Sequence, residues 1–200
     1  MNGSSESQLG LSSNFLGRVF TGLQTSGQLN IVITKRDVPS LSLTTISLGE
    51  IISKVASMYK TEKPLVLHIF VPSAPLVKME NKHALVSFIA NIDISVLEQD
   101  SLMHLFVLRV VTNLNVNFSI EMNNLKIFLS LNSTEIKIPN SLGITDILQL
   151  KTLVEQLFNL AYIPSINSVL EMGIPLPLGM FADFNNATIE IMDNLILLRT

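Results

Sequence analysis

Two neighbouring segments alternate apolar and polar residues for far longer than a strand normally runs, and they dictate most of what this chain can become. Over residues 84–98 every even position up to 96 is apolar: Ala84, Val86, Phe88, Ala90, Ile92, Ile94 and Val96. The odd positions include Ser87, Asn91, Asp93 and Ser95. A turn at Gln99-Asp100 leads into residues 102–120, whose even positions carry Phe106, Leu108, Val110, Leu114, Val116, Phe118 and Ile120, with His104 and Thr112 among them. Successive side chains on a strand point to opposite faces, so both segments read as strands with one buried face. In the second segment the odd positions are largely apolar up to Val111, then become Asn113, Asn115, Asn117 and Ser119. That switch predicts cover on both faces for the first half and on one face for the second. Nineteen residues at about 3.4 Å each span roughly 60 Å, whereas an ordinary strand has about 5–6 residues. Such a strand has to curve or cross between two packed regions.

The flanking segments supply helices to cover the sheet. Phe15, Leu16, Val19, Phe20 and Leu23 form one stripe, with Ser12 or Ser13 as cap and Gly27 as terminator. Residues 47–59 read as a shorter helix presenting Leu48, Ile51, Ile52, Val55 and Met58. Residues 29–34, 65–71 and 76–80 read as short strands, and Asn123-Asn124 as a tight turn before Leu125, Ile127, Leu129 and Leu131. Residues 135–138 form a separate short extended piece. Residues 144–170 form the longest helical region, burying Ile147, Leu150, Leu153, Val154, Leu157, Leu160 and Ala161, kinked or divided at Pro164 and stopped by Gly173. Residues 181–190 and 194–199 close the chain as a hairpin around Asp193-Asn194. Residues 1–10 read as a disordered lead-in to one domain over residues 11–200. No strand–helix–strand alternation appears. The fold class is α+β: a long, curved antiparallel sheet wrapped around two amphipathic helices.

Composition narrows the function. Only 14% of residues are charged and 48% are hydrophobic, against about 25% charged in an ordinary soluble domain. The surplus suits an apolar pocket or a partner-covered face. A net charge of −3 without a basic run argues against nucleic acid as a partner. The absence of cysteine removes disulfides, thiolate metal sites and a cysteine nucleophile. His68, His83 and His104 stand in no close-spaced metal pattern, so no metal and no cofactor is expected; His104, on the apolar face, reads as a hydrogen-bonded core histidine. No nucleophile elbow, phosphate loop or dinucleotide fingerprint occurs, and the chain is read as a non-enzyme. No apolar run is long enough for a spanning helix. The opening MNGSSESQLG lacks the apolar stretch of a secretory signal.

Several motifs stand in one order: Gly27-Gln28-Leu29-Asn30-Ile31-Val32-Ile33-Thr34 after an amphipathic helix, the two long strands, a long helix ending in Ile166-Asn167-Ser168-Val169-Leu170, and Gly173-Ile174-Pro175-Leu176-Pro177-Leu178 before a closing hairpin. Together they resemble the C-terminal domain of the bactericidal/permeability-increasing, lipopolysaccharide-binding and palate-lung-nasal-clone family. The resemblance implies a two-barrel parent joined through a central sheet. It also implies an apolar pocket between helices and sheet that takes acyl chains, and a route through the secretory lumen or to the extracellular space. The family's N-terminal domain, with its cationic endotoxin-binding surface, lies outside this chain, so antibacterial action is not carried over.

For a lipid ligand, the expected pocket walls are Leu16, Val19, Phe20 and Leu23 facing Leu153, Val154, Leu157 and Leu160, with Phe88, Phe106 and Phe118 on the sheet. The same residues also suit a dry core. Peripheral membrane contact is a further expectation. Sequons at Asn2, Asn117, Asn132 and Asn186 are candidate glycosylation sites. Two alternatives remain at this point: an interaction module without lipid cargo, and a truncated isoform without activity of its own.

Overall fold

A computed structural model describes residues 6–177 and 183–200. It is organised by the two long strands, β5 (His83–Glu98) and β6 (Ser101–Glu121), which run antiparallel and carry β7 (Asn124–Lys137) on the far side of β6. On the other side β5 pairs first with β4 (Leu76–Glu80) and further along with β3 (Leu65–Phe70). β3 in turn holds the short β2 (Ile31–Ile33), and two residues of β8 (Ile174–Pro175) pair with the start of β7. A second sheet of three strands joins β1 (Gln8–Ser12), β10 (Leu195–Arg199) and β9 (Thr188–Met192). Residues 8–10, expected in a disordered lead-in, therefore belong to a strand. Its partner is the C-terminal hairpin, a pairing that local composition cannot reveal. Residues 1–5 and Phe181, the expected start of the closing hairpin, lie outside the described residues.

The buried side chains follow the predicted parity. Val86, Ala90, Ile92, Val96, Leu108, Val110, Leu114 and Val116 are each at most 3% exposed and share one inner face. The hairpins turn through residues with φ > 0: Asn81-Lys82, Gln99-Asp100 and Met122-Asn123, the geometry whose twist matches that of the strands. The third turn is thus one residue earlier than the Asn123-Asn124 expected, and Asn124 already belongs to β7.

Two β-bulges explain further departures. β5 and β6 slip register between Ile94 and Ser95, so Ile94 faces Phe106 while Ser95 faces His104, and Leu105 is the extra residue. Parity reverses there. His104 sits on the outer face, where its Nδ1 meets Asp93 Oδ1 at 2.7 Å, instead of in the core. Near the hairpin tip Leu102 and Met103 are 56% and 49% exposed, so the expected two-sided cover is absent there. The second bulge makes Asn132 the extra residue of β7, because Asn113 faces Ser133 while Leu114 faces Leu131. One bulged strand replaces the two pieces expected.

The helices close the inner face. α1 (Ser13–Thr25) is capped by Ser12 Oγ, which accepts the Phe15 N–H, and buries Leu16, Phe20 and Leu23. The region predicted as one helix over 47–59 forms two short ones, α2 (Thr45–Gly49) and α3 (Ser53–Met58), with Ile51 and Ile52 between them. Ile52 is drawn into an isolated bridge with Ile144. The long helix comprises α4 (Ile147–Leu157), one π turn (Phe158–Tyr162) and α5 (Ile163–Leu170). Pro164 has no N–H, and its ring would press on the carbonyl four residues back, so the helix widens by one residue instead of continuing regularly. Asn167 then grips the backbone of Leu129, accepting its N–H at 2.8 Å and donating to its C=O at 3.0 Å. This saturates part of the β7 edge, which β8 covers for only two residues.

Gly173 ends the unit at φ +72°, where an added Cβ would lie 2.9 Å from the Leu125 carbonyl oxygen. Gly173→Ala is expected to cost about 1–3 kcal/mol, read as a lower urea midpoint. An unchanged midpoint would mean that β8 is not held in this register.

Candidate functional site

The inner surface of the curled sheet is closed by α4 from one side and by the loop and helix around α2 from another. Between them lies a cleft of about 420 Å3. Its rim is polar: Ser40, Ser42, Ser47, Glu50, Gln149, Thr152 and Gln156. The rim loop is organised by Thr44 Oγ1, which accepts the Ser47 N–H at 3.2 Å and caps α2. Ser42 and Ser47 hydroxyls bond to each other at 2.6 Å. Asp146 caps α4 by accepting the Gln149 N–H at 3.0 Å.

Inward, the cleft loses every polar group. Leu43, Leu48, Leu65 and Leu153 line both the mouth and a narrow inner end of about 20 Å3, which continues to Leu67, Ile92, Ile94, Leu108, Leu150, Val154 and Leu157. A space that size admits one water at most, and a water there finds no partner, so the inner end is dry. The strands contribute through their alternation: Leu65 and Leu67 on β3, Ile92 and Ile94 on β5, and Leu108 on β6 all point to the same side. The helix contributes Leu150, Leu153, Val154 and Leu157 at i, i+3, i+4 and i+7.

Of the residues expected to form the pocket, Leu153, Val154 and Leu157 line this cleft. Leu16, Phe20 and Leu23 are buried and Val19 is half-buried, but α1 packs on β4 and β1 and none of the four lines the cleft. Phe88 is buried against the ring of Tyr162, Phe106 is buried elsewhere in the core, and Phe118 lines a different depression. Leu160, in the π turn, is 48% exposed. The extra residue per turn rotates it off the buried stripe. The unexpected walls, Leu43, Leu48 and the strand leucines and isoleucines, carry an apolar signal in the sequence but nothing that distinguishes them from core.

The depression holding Phe118 is larger, about 770 Å3, and runs between β9 and the ends of β5 and β6. Lys82, His83, Asn115, Asn117 and Glu190 line it along with apolar groups. Its lining is more polar than that of the cleft, so it offers an acyl chain less apolar wall. No three His, Asp or Glu side chains come together to hold a metal among the described residues. No helix among them is long and apolar enough to cross a membrane.

The described residues thus form a curled antiparallel half-barrel, closed by a divided helix over an apolar cleft with a polar rim. The sequence matches the LBP / BPI / CETP family, C-terminal domain, over residues 8–200, and the chain belongs to that family. It is 36% identical over 201 residues to human BPI fold-containing family B member 4, covering 99% of this chain and 33% of that protein. It is 31% identical over 183 residues to mouse BPI fold-containing family B member 3, covering 90% of this chain and 39% of the relative. The crystal structure of lipopolysaccharide binding protein superposes with a TM-score of 0.62 at 18% identity, covering 84% of this chain and 39% of that one. The chain thus spans between a third and two fifths of the length of these proteins.

Proposed function

We propose that this chain binds a lipid in the cleft between α4 and the sheet, acyl part inward and head group at the serine- and glutamine-bearing rim. One observation carries the reading: a polar-rimmed mouth runs without a break into a wall made only of aliphatic side chains. Membership of a family built on a lipid-binding fold supports it. Each methylene removed from water contributes about 0.8 kcal/mol, so a long chain is held without a polar code. The inner end is too narrow for an acyl chain as it stands. Entry requires α4 to lift from β3 and β6, pivoting at the π turn, where the regular helical hydrogen bonding is already interrupted. The reading is non-catalytic. It places the parent protein in the secretory lumen or outside the cell, with peripheral membrane contact at delivery and an N-terminal BPI-like domain as the other half.

The test is native mass spectrometry and lipid extraction of the chain produced through a secretory route. A stoichiometric, phospholipid-sized adduct lost on denaturation is the expected result. A clean apo mass from a folded monomer would overturn the proposal and favour the second reading, a docking module. That reading draws on the exposed Leu97, Leu102 and Met103 at the β5–β6 hairpin tip.

A further inference from the structure

We propose that, of the three sequons within the described fold, Asn186 alone carries an N-linked oligosaccharide, and that this glycan shelters the end of the small sheet. The three asparagines are all exposed, so accessibility does not separate them; their hydrogen bonds and backbone settings do. Asn117 lies inside the 21-residue β6, and its Nδ2 donates to the Phe128 carbonyl at 3.3 Å. Asn132 is the extra residue of the β7 bulge, and its Nδ2 donates to Asn115 Oδ1 at 3.0 Å. A sugar takes one of the two hydrogens of the amide it joins; at Asn117 both hold the neighbouring strand, on the Phe128 carbonyl and Ser130 Oγ, and at either position the sugar sets a bulky group on the ladder face where Asn113 also bonds Ser133.

Asn186 differs in each respect. It sits in a turn closed by the Ala187 N–H on the Phe184 carbonyl at 3.0 Å. Neighbours hold that turn. Phe184 is 3% exposed, and the Asn185 N–H and side-chain amide both donate to Asp183 Oδ1, at 3.0 and 2.8 Å. The side chain of Asn186 makes no hydrogen bond with any described residue. The turn's hydrogen bonds do not use the Asn186 side chain, so a sugar on its amide breaks no bond to another described residue. The sequon hydroxyl, Thr188, begins β9, which pairs only with β10 among the described residues. Asn185 Oδ1 also accepts the Asn123 N–H, placing the turn beside Met122, which is 84% exposed. A glycan there covers both an open strand edge and a bare apolar side chain, two common routes to aggregation.

The chemistry is the transfer of an oligosaccharide from a lipid-linked diphosphate donor by the lumenal transferase. The Asn186 Nδ2 forms a bond to the anomeric carbon and gives up one proton. The anomeric carbon–oxygen bond to the diphosphate breaks, and the lipid diphosphate departs with the electron pair. The inference rests on the lumenal route proposed above, so the test imposes that route. The full chain, carrying Asn2→Gln, is expressed behind a cleavable signal peptide in mammalian cells. Its mass is then read under denaturing conditions before and after peptide-N-glycosidase treatment. One glycan is expected, lost in both Asn186→Gln and Thr188→Ala and retained in Asn117→Gln and Asn132→Gln. A glycan that survives either of the first two changes, one removed by either of the last two, or a chain never modified, would overturn the assignment. Denatured chains report even where a variant folds poorly, and a covalent glycan is distinguished from a lipid adduct because only the lipid leaves on denaturation.

Discussion

Tyr162→Ala is expected to lower stability by about 3–5 kcal/mol, the range for deleting a large buried aromatic ring. The side chain is fully buried in the π turn, with its ring 5.1 Å from that of Phe158 and 6.3 Å from that of Phe88. Its hydroxyl donates to the Leu29 carbonyl at 2.9 Å, across 133 residues of chain. One side chain therefore joins the divided helix, the long sheet and the segment leading into β2. Burial pushes the phenol well above its ordinary pKa, so it remains a neutral donor and no stability change through its titration is expected near neutral pH. Tyr162→Phe keeps the ring and orphans the Leu29 carbonyl, at about 1–3 kcal/mol. Against a total of about 5–15 kcal/mol for a typical domain, the alanine change removes a large share. Urea unfolding measures both variants. An alanine variant within 1 kcal/mol of the parent, an order-of-magnitude threshold on the same scale, would show that the π turn is not packed as described.

Leu153→Trp is expected to abolish lipid binding while leaving the fold standing. Leu153 lines the mouth and the dry inner end alike, and it is only half-buried, so an indole there extends into the 420 Å3 mouth. The overpacking cost is about 1–3 kcal/mol. A fluorescent long-chain fatty acid should lose at least about tenfold in affinity, equivalent to 1.4 kcal/mol. Leu160→Trp, on the outer side of the same helix, should bind as the parent does. Unchanged binding in Leu153→Trp would move the ligand elsewhere, with the trough beside Phe118 the next place to test.

Sequence pattern and structure diverge at particular residues. Alternation along β5 and β6 correctly separates inner from outer residues over most of their length, because parity is a covalent property of an extended chain. It fails at His104, since a bulge at Leu105 shifts every residue beyond it to the opposite face. Helical periodicity finds Leu150, Val154 and Leu157, and fails at Leu160, where the π turn breaks the period. Both failures are one-residue insertions, and neither carries a residue-type signal as strong as glycine or proline; Pro164 marks the helical one only from downstream.

The sequence by itself determined the elements and their apolar faces: two overlong strands, an amphipathic first helix, a long helix interrupted near Pro164, and glycine stops. These follow from local sterics and from burial, which act residue by residue. Tertiary structure alone decided which apolar faces meet. It sent α1 to β4 and β1 and away from α4. It brought the α2 loop over the cleft, and it recruited Gln8–Ser12 to a strand whose partner lies at the other end of the chain. Aliphatic side chains contact one another without directional preference, so a leucine that lines a cleft and one that fills a core look the same until the chain has folded.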